Sequence, residues 1–404
     1  MPRFPHGWLR GAAPELLAAA SDNDPTNVGT AAAVGARSGY QLCWVTLLVA
    51  PLLAVVITIA AQVGMVTRDD LQSLTARRYG RPVAYVLLVS VVLVNLVTIA
   101  ADLVAGAAGT GMLAGVDYRL LVLPLGAAIT CLLIAGRYET VAAVLRYALL
   151  GFGAFGGAAV LARPDWRRVL ESSLVPVLRP GTAAGALALL GTTLTSYVYI
   201  WETIGRGVEE GGTMSLARVR AGAVAGSVIT AVVLWFMLVA CAATLGREHM
   251  AVSSAQQAAQ ALRPLAGRAA GDLFAAGLVV SAVVALPVLM ATTAYVVSAQ
   301  FGWRRGLSEG VGRARGYYAV LAASAVLAQV TALTKLPVIA MLEAASILGG
   351  LGTPVSLVLL VRLARDPEVM GPQAISRWLA AAGWAVALIV GGLGVLFIAA
   401  AYGP

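Results

Sequence analysis

Apolar runs of about twenty residues, each closed by a short polar segment, repeat along the whole of the 404-residue chain. A helix needs roughly 20 apolar residues to cross the hydrocarbon core of a bilayer. On that measure the pattern predicts spans at about 11–36, 41–66, 82–112, 119–136, 139–162, 183–208, 218–245, 270–299, 316–334, 336–362 and 376–402. The connections between them are short, so residues 1–404 read as one transmembrane domain, an all-α polytopic bundle with no soluble second domain.

Two of these spans carry polar interruptions. The first breaks at Asp22-Asn23-Asp24-Pro25-Thr26-Asn27, where proline removes a backbone donor and the polar side chains compete for backbone hydrogen bonds. The sixth carries Gly191-Thr192-Thr193-Leu194-Thr195-Ser196. Asp24 and Thr195 are separated by about one five-helix unit, which suggests two repeats, at about 11–162 and 183–362, with an extra helix at 376–402. Discontinuous helices at matching positions of two repeats point to the central site of a transporter. Residues 22–27 and 192–196 are therefore predicted to be non-helical and to face each other inside the membrane.

Composition agrees with the pattern. Hydrophobic residues make up 60% of the chain and charged ones 12%, against roughly 45–50% and 25% in soluble domains, and the mean hydropathy is +0.86. Much of the glycine lies inside apolar runs, where small residues let lipid-embedded helices approach closely. The net charge of +9 is spread over many loops, which argues against a nucleic-acid partner. Cys43, Cys131 and Cys241 are isolated in apolar stretches and fit neither a disulfide framework nor a metal-ligand spacing. The apolar start leads into Asp22-Asn23-Asp24-Pro25 and not into a small-residue cleavage site, so the N-terminus is expected to stay attached. Arginines concentrate in the connections after even-numbered spans, including Arg68, Arg77, Arg78, Arg81, Arg304, Arg305, Arg362 and Arg365. That bias predicts a cytoplasmic N-terminus in the cell membrane.

Charge inside the spans narrows the chemistry. Asp22, Asp24, Asp102, Glu202 and Glu343 all fall within predicted spans, where a carboxylate costs several kcal/mol unless paired, hydrated or protonated. No histidine lies in a span, since His6 and His249 fall outside them, and no nucleophile–base pair is visible. An enzyme is therefore not expected, nor is any cofactor.

Asp24-Pro25-Thr26-Asn27 resembles the Asp-Pro-Gly-Asn signature of the Nramp family of divalent-metal transporters, and the similarity runs over nearly the whole chain. Gly64-Met65-Val66-Thr67-Arg68-Asp69-Asp70-Leu71 with Arg77-Arg78-Tyr79-Gly80 is similar to that family's second helix and following loop. Ala101-Asp102-Leu103 resembles the acidic motif of its third helix, and Pro354 through Leu360, on to Met370-Gly371, the end of its tenth. The resemblance implies a LeuT fold of two inverted five-helix repeats plus an eleventh helix. It implies a metal site built from Asp24, Asn27 and backbone carbonyls near Ser21 and Thr192, with Thr195 at the position of the family's methionine. Asp102 falls at an acid implicated in proton transfer and Glu202 at a histidine position associated with proton movement. Asp22 lies outside the four-residue signature, and a lesser role is expected for it.

Departures from the family pattern matter as well. Thr195 offers a hard hydroxyl oxygen where the family has a soft thioether, and an all-oxygen site suits Mg²⁺, Ca²⁺ or Mn²⁺. That loss also resembles the Nramp-related magnesium-transporter branch. Thr26 replaces a glycine, and Ala105 a glutamate. The function these residues imply is secondary active transport of a divalent metal cation of the Mn²⁺ or Mg²⁺ class, with possible proton coupling. A LeuT-fold transporter of a small organic solute, binding through hydroxyls and half-helix ends, is the alternative.

Overall fold

In the computed structural model, residues 21–136, 141, 145, 149–209, 215–248, 267–333 and 338–402 are described. Seven helical stretches among them are long and apolar enough to cross a membrane. The α-helices of nine residues or more are α1 Pro25–Ser38, α2 Cys43–Thr67, α3 Leu71–Tyr79, α4 Arg81–Ala114, α5 Arg119–Ala135, α6 Gly153–Leu161, α7 Trp166–Leu174, α8 Ala183–Thr193, α9 Ser196–Ile204, α10 Leu216–Glu248, α11 Arg268–Gln300, α12 Arg315–Ala332, α13 Val338–Arg365 and α14 Arg377–Tyr402. Helices α4, α5 and α8 to α14 fall on apolar runs read from the sequence to within a few residues. The leading half of the first span and part of the fifth lie outside the described residues, as does the side chain of Glu343.

Connections hold helices that hydropathy alone does not reveal. Helix α3 follows α2 directly because Asp70 caps it, its carboxylate accepting the Ser73 N–H at 2.9 Å. Helix α7 begins in the same way at Asp165, which accepts from Arg168 N–H at 3.2 Å. Helix α4 has 34 residues, about 51 Å at 1.5 Å per residue, so it overreaches a bilayer core of roughly 30 Å.

Packing surrounds the interrupted spans. Helix α4 lies along α11, α10 lies along α1 and α2, and α13 touches α1, α4 and α8. Close approach of α4 and α11 depends on missing side chains: a β-carbon at Gly109 would lie 2.8 Å from the Ala275 carbonyl oxygen. Lipid tails supply no hydrophobic drive between helices, so this backbone proximity is what dispersion acts through. Outward-facing apolar side chains, among them Val86, Val89 and Leu93 on α4, Leu120 on α5, Val330 on α12 and Leu388 on α14, form the surface turned to lipid.

Candidate functional site

The first span breaks over three residues. Ser21 is helical, residues 22–24 are non-helical, and α1 starts at Pro25. Asp24 is extended, at φ −74° and ψ 166°, and its carboxylate accepts the Asn27 N–H at 2.9 Å. Proline is therefore not an interruption within a helix. It is the first residue of a new one, where its missing donor costs nothing and its fixed φ suits the turn.

The sixth span breaks at Leu194 and Thr195 alone. Thr195 is extended at φ −64° and ψ 144° and caps α9 without a side-chain hydrogen bond. Leu194 N–H bonds to the Leu190 carbonyl at 3.0 Å and Val198 N–H to the Thr195 carbonyl at 3.3 Å. The carbonyls that close α8, Thr192 among them, point from an open helix end. The wider expectation of irregular backbone at 22–27 and 192–196 is corrected here: Pro25, Thr26, Asn27, Thr192, Thr193 and Ser196 are helical. At the first break the Asp24 cap and Pro25 at the first helical position confine the irregular backbone to residues 22–24. Space at the second break is set by α13, where a β-carbon at Gly349 would lie 3.2 Å from the Gly191 carbonyl oxygen.

The two breaks meet at Tyr197. Its hydroxyl lies 2.7 Å from the Ser21 carbonyl oxygen and 3.1 Å from Asp24 Oδ2. With one proton to donate, it serves one acceptor at a time. Asp22, Asn23, Asp24, Asn27, Thr192 and Thr195 are all buried. Asn27 Nδ2 donates to the Asp22 carbonyl, while Asn27 Oδ1, both Asp22 carboxylate oxygens and the Thr192 and Thr195 hydroxyls have no hydrogen-bond partner among the described residues. Ser21 and Asp24 of the first break thus meet the second through Tyr197, two residues past Thr195, with Asn27 in the first turn of α1 and Thr192 in the last turn of α8. No three His, Cys, Asp or Glu side chains form a metal-ligand group among the described residues.

Asp102 reaches the junction from α4. Its Oδ1 accepts the Thr26 hydroxyl at 2.7 Å, and its Oδ2 has no partner among the described residues. Glu202 does not join them. It sits two turns along α9 from Thr195, about 10 Å by helical rise, with its Oε1 3.6 Å from Arg206 Nε in a buried pair.

On either side of the junction the two faces differ. Toward the arginine-rich face, Arg305 Nη2 lies 2.6 Å from Asp70 Oδ2 and 2.8 Å from Ser73 Oγ. Arg77 pairs with Asp69, Tyr295 donates to Glu209, and the Leu307 N–H bonds Glu209 at 2.9 Å. These contacts tie the α2–α3 connection, the turn after α9 and the segment after α11 together. Toward the other face a cavity of about 100 Å³ is lined by Thr30, Ala33 and Arg37 of α1, Ala184 and Ala188 of α8, and Ile347 of α13. Thr30 and Ala188 each lie one helical turn from the junction.

The family model for natural resistance-associated macrophage protein-like sequences matches residues 15–400. The chain belongs to the Nramp family. It is therefore a polytopic membrane transporter and not an enzyme. The divalent metal cation transporter MntH of Aeromonas hydrophila is 30% identical over 288 residues, covering 67% of this chain and 68% of that protein. MntH of Deinococcus radiodurans is 30% identical over 280 residues, covering 66% and 64%. The alignments thus span about two thirds of these relatives. Crystal structures of the Eremococcus coleocola manganese transporter superpose with a TM-score of 0.72 at 18% identity, covering 99% of this chain and 89% of that one. Mhp1, a nucleobase-cation-symport-1 family transporter, superposes at 0.61 with 14% identity. Both share the all-α, multi-spanning bundle.

Tyr197 is the residue of this Nramp chain that sequence reading passed over. Its signal was present: a buried tyrosine hydroxyl needs a partner, and it stands two residues past Thr195. Nothing in the sequence says that the partner is the other broken span.

Proposed function

We propose that this chain is a secondary active transporter of a divalent metal cation of the Mn²⁺ or Mg²⁺ class, working by alternating access at the junction of the two breaks. Asp24, the Asn27 amide oxygen and carbonyls near Ser21 and Thr192 replace part of the ion's hydration shell. The Thr195 hydroxyl contributes directly or through retained water, which Mg²⁺ keeps readily. One observation supports this reading: two broken helices, joined by Tyr197, carry fully buried oxygens most of which have no hydrogen-bond donor among the described residues. Buried polar groups are ordinarily hydrogen-bonded. A cation supplies what the protein does not.

The architecture in this proposal is two inverted five-helix repeats, at about 11–162 and 183–362, plus the helix at 376–402, together forming one transporter domain. The arginine-rich face is cytoplasmic, which puts the N-terminus inside. The ion pairs on that face then close the inner route, while the cavity beside Thr30 and Arg37 is the outer vestibule. Asp102, linked to the site through Thr26, is placed to exchange a proton as the cation binds. Glu202 holds Arg206 at the closed end, so its part in proton movement is indirect.

The deciding experiment is isothermal titration of the purified protein with Mn²⁺, Mg²⁺ and Ca²⁺, with an amino acid as control. Saturable binding of at least one divalent ion is expected. Binding of the organic control with no response to any metal would overturn the proposal in favour of an organic solute.

A further inference from the structure

We propose that Asp22 is a second anionic ligand of the substrate cation, placed beside Asp24 and selecting divalent over monovalent ions. This role rests on the divalent-cation reading given above.

Asp22 lies in the non-helical turn at 22–24 and is fully buried. Both of its carboxylate oxygens lack a hydrogen-bond partner among the described residues. Asp24 differs: one oxygen takes the Asn27 N–H and the other faces the Tyr197 hydroxyl. The acid inside the family signature is thus partly occupied by protein donors, and the acid outside it takes none from the described residues.

Asn27 explains the arrangement. Its side-chain Nδ2 donates to the backbone carbonyl of Asp22, tying that residue to the first turn of α1. The same contact leaves the Asn27 Oδ1 without a donor. One amide therefore anchors Asp22 while its own oxygen takes no donor from the described residues. The donor set on this side becomes the Asp22 carboxylate, Asn27 Oδ1 and Asp24, with the Thr195 hydroxyl from the opposite break.

A structural carboxylate looks different in this same protein. Asp70 is also buried, and its oxygens take the Ser73 N–H, the Ser73 hydroxyl and Arg305. Asp22 has none of these among the described residues. An unpaired buried carboxylate is costly in a membrane protein, and those retained mark ion pathways.

Charge then sets the selectivity. Asp22 and Asp24 together match a divalent ion, whereas a monovalent ion leaves one negative charge buried. Affinity at oxygen sites rises with the count of charged ligands. A second carboxylate also strengthens the site where Thr195 has replaced a thioether, because hard oxygens do not depend on a soft donor.

The test is titration of the purified full-length protein with Mn²⁺ and with Mg²⁺, on wild type and on D22N, with a melting curve for each. D22N keeps the size of the side chain, and we expect affinity for both ions to fall about 10- to 100-fold with the fold retained. The pair D22E and D22Q, equal in size to each other, isolates charge if D22N does not fold. D22E should then bind at least tenfold more tightly than D22Q. Wild-type affinity in D22N, or equal affinity in D22E and D22Q, overturns the role of Asp22 and leaves the transporter reading standing. If wild type binds neither these ions nor Ca²⁺, both fall together.

Discussion

Replacing Asp24 by asparagine separates the two tasks that residue performs. As the N-cap of α1 it accepts the Asn27 N–H at 2.9 Å, and it faces the Tyr197 hydroxyl at 3.1 Å. Asparagine caps helices about as well as aspartate, and the tyrosine oxygen can accept from its amide. Stability should change by no more than about 1 kcal/mol on this account, since both contacts survive. Binding loses a full charge. At 4 Å and an effective dielectric near 20, two unit charges interact by about 4 kcal/mol, which is nearly three decades in affinity. A divalent ion in direct contact feels more. D24N should therefore weaken Mn²⁺ and Mg²⁺ binding by at least about a hundredfold and abolish uptake in proteoliposomes, with the melting temperature nearly unchanged. Equal uptake by D24N and wild type, at matched protein in the membrane, would show that Asp24 serves α1 alone.

Three further outcomes are expected. T195M should shift preference from Mg²⁺ toward Mn²⁺ and Cd²⁺ by bringing back a soft donor; a wild type that already takes up Cd²⁺ while ignoring Mg²⁺ contradicts the hard-site account. Y197F removes the hydroxyl held between Ser21 and Asp24 at a stability cost of about 0.5–1.5 kcal/mol, and by freeing both acceptors it should tighten cation binding up to about tenfold. A weaker affinity in Y197F would instead make the phenol itself a ligand. At the arginine-rich face, burial pushes the Asp70 carboxyl above its ordinary value although Arg305 opposes the shift. The closed contact therefore holds a proton more tightly than a solvent-exposed Asp70 does, so acidification from neutral favours the closed face and rising pH favours its opening. Hydrogen exchange at residues 69–75 should slow as the pH falls through the Asp70 transition, once corrected for intrinsic rates, and D70N should flatten that dependence. Faster corrected exchange at low pH would refute it.

Much of this molecule was determined by local sequence. Twenty-residue apolar runs locate spans because a lipid core leaves the backbone no partner but itself, so length and polarity decide the helices. The breaks were equally legible, since Asp24-Pro25 and the threonine run at 192–195 carry their own capping and turn chemistry. Their extent was not: helix propagation from Pro25 and Ser196 reclaimed residues that polarity alone assigned to the break. Which side chains share the junction belongs to tertiary structure. Tyr197 is matched to Ser21 and Asp24, and Thr26 to Asp102, by the packing of α1, α4, α8 and α9. The pairing of Glu202 with Arg206 is local, one helical turn apart, yet only burial of that turn makes it matter. Asp22 shows the division most clearly. In the sequence it is an acid just outside a signature, and its character follows from the fold: the Asn27 side chain fixes its backbone, and no described residue brings its carboxylate a donor. Apolar periodicity constrains where chain can cross lipid, whereas satisfaction of a buried polar atom depends on every element packed around it.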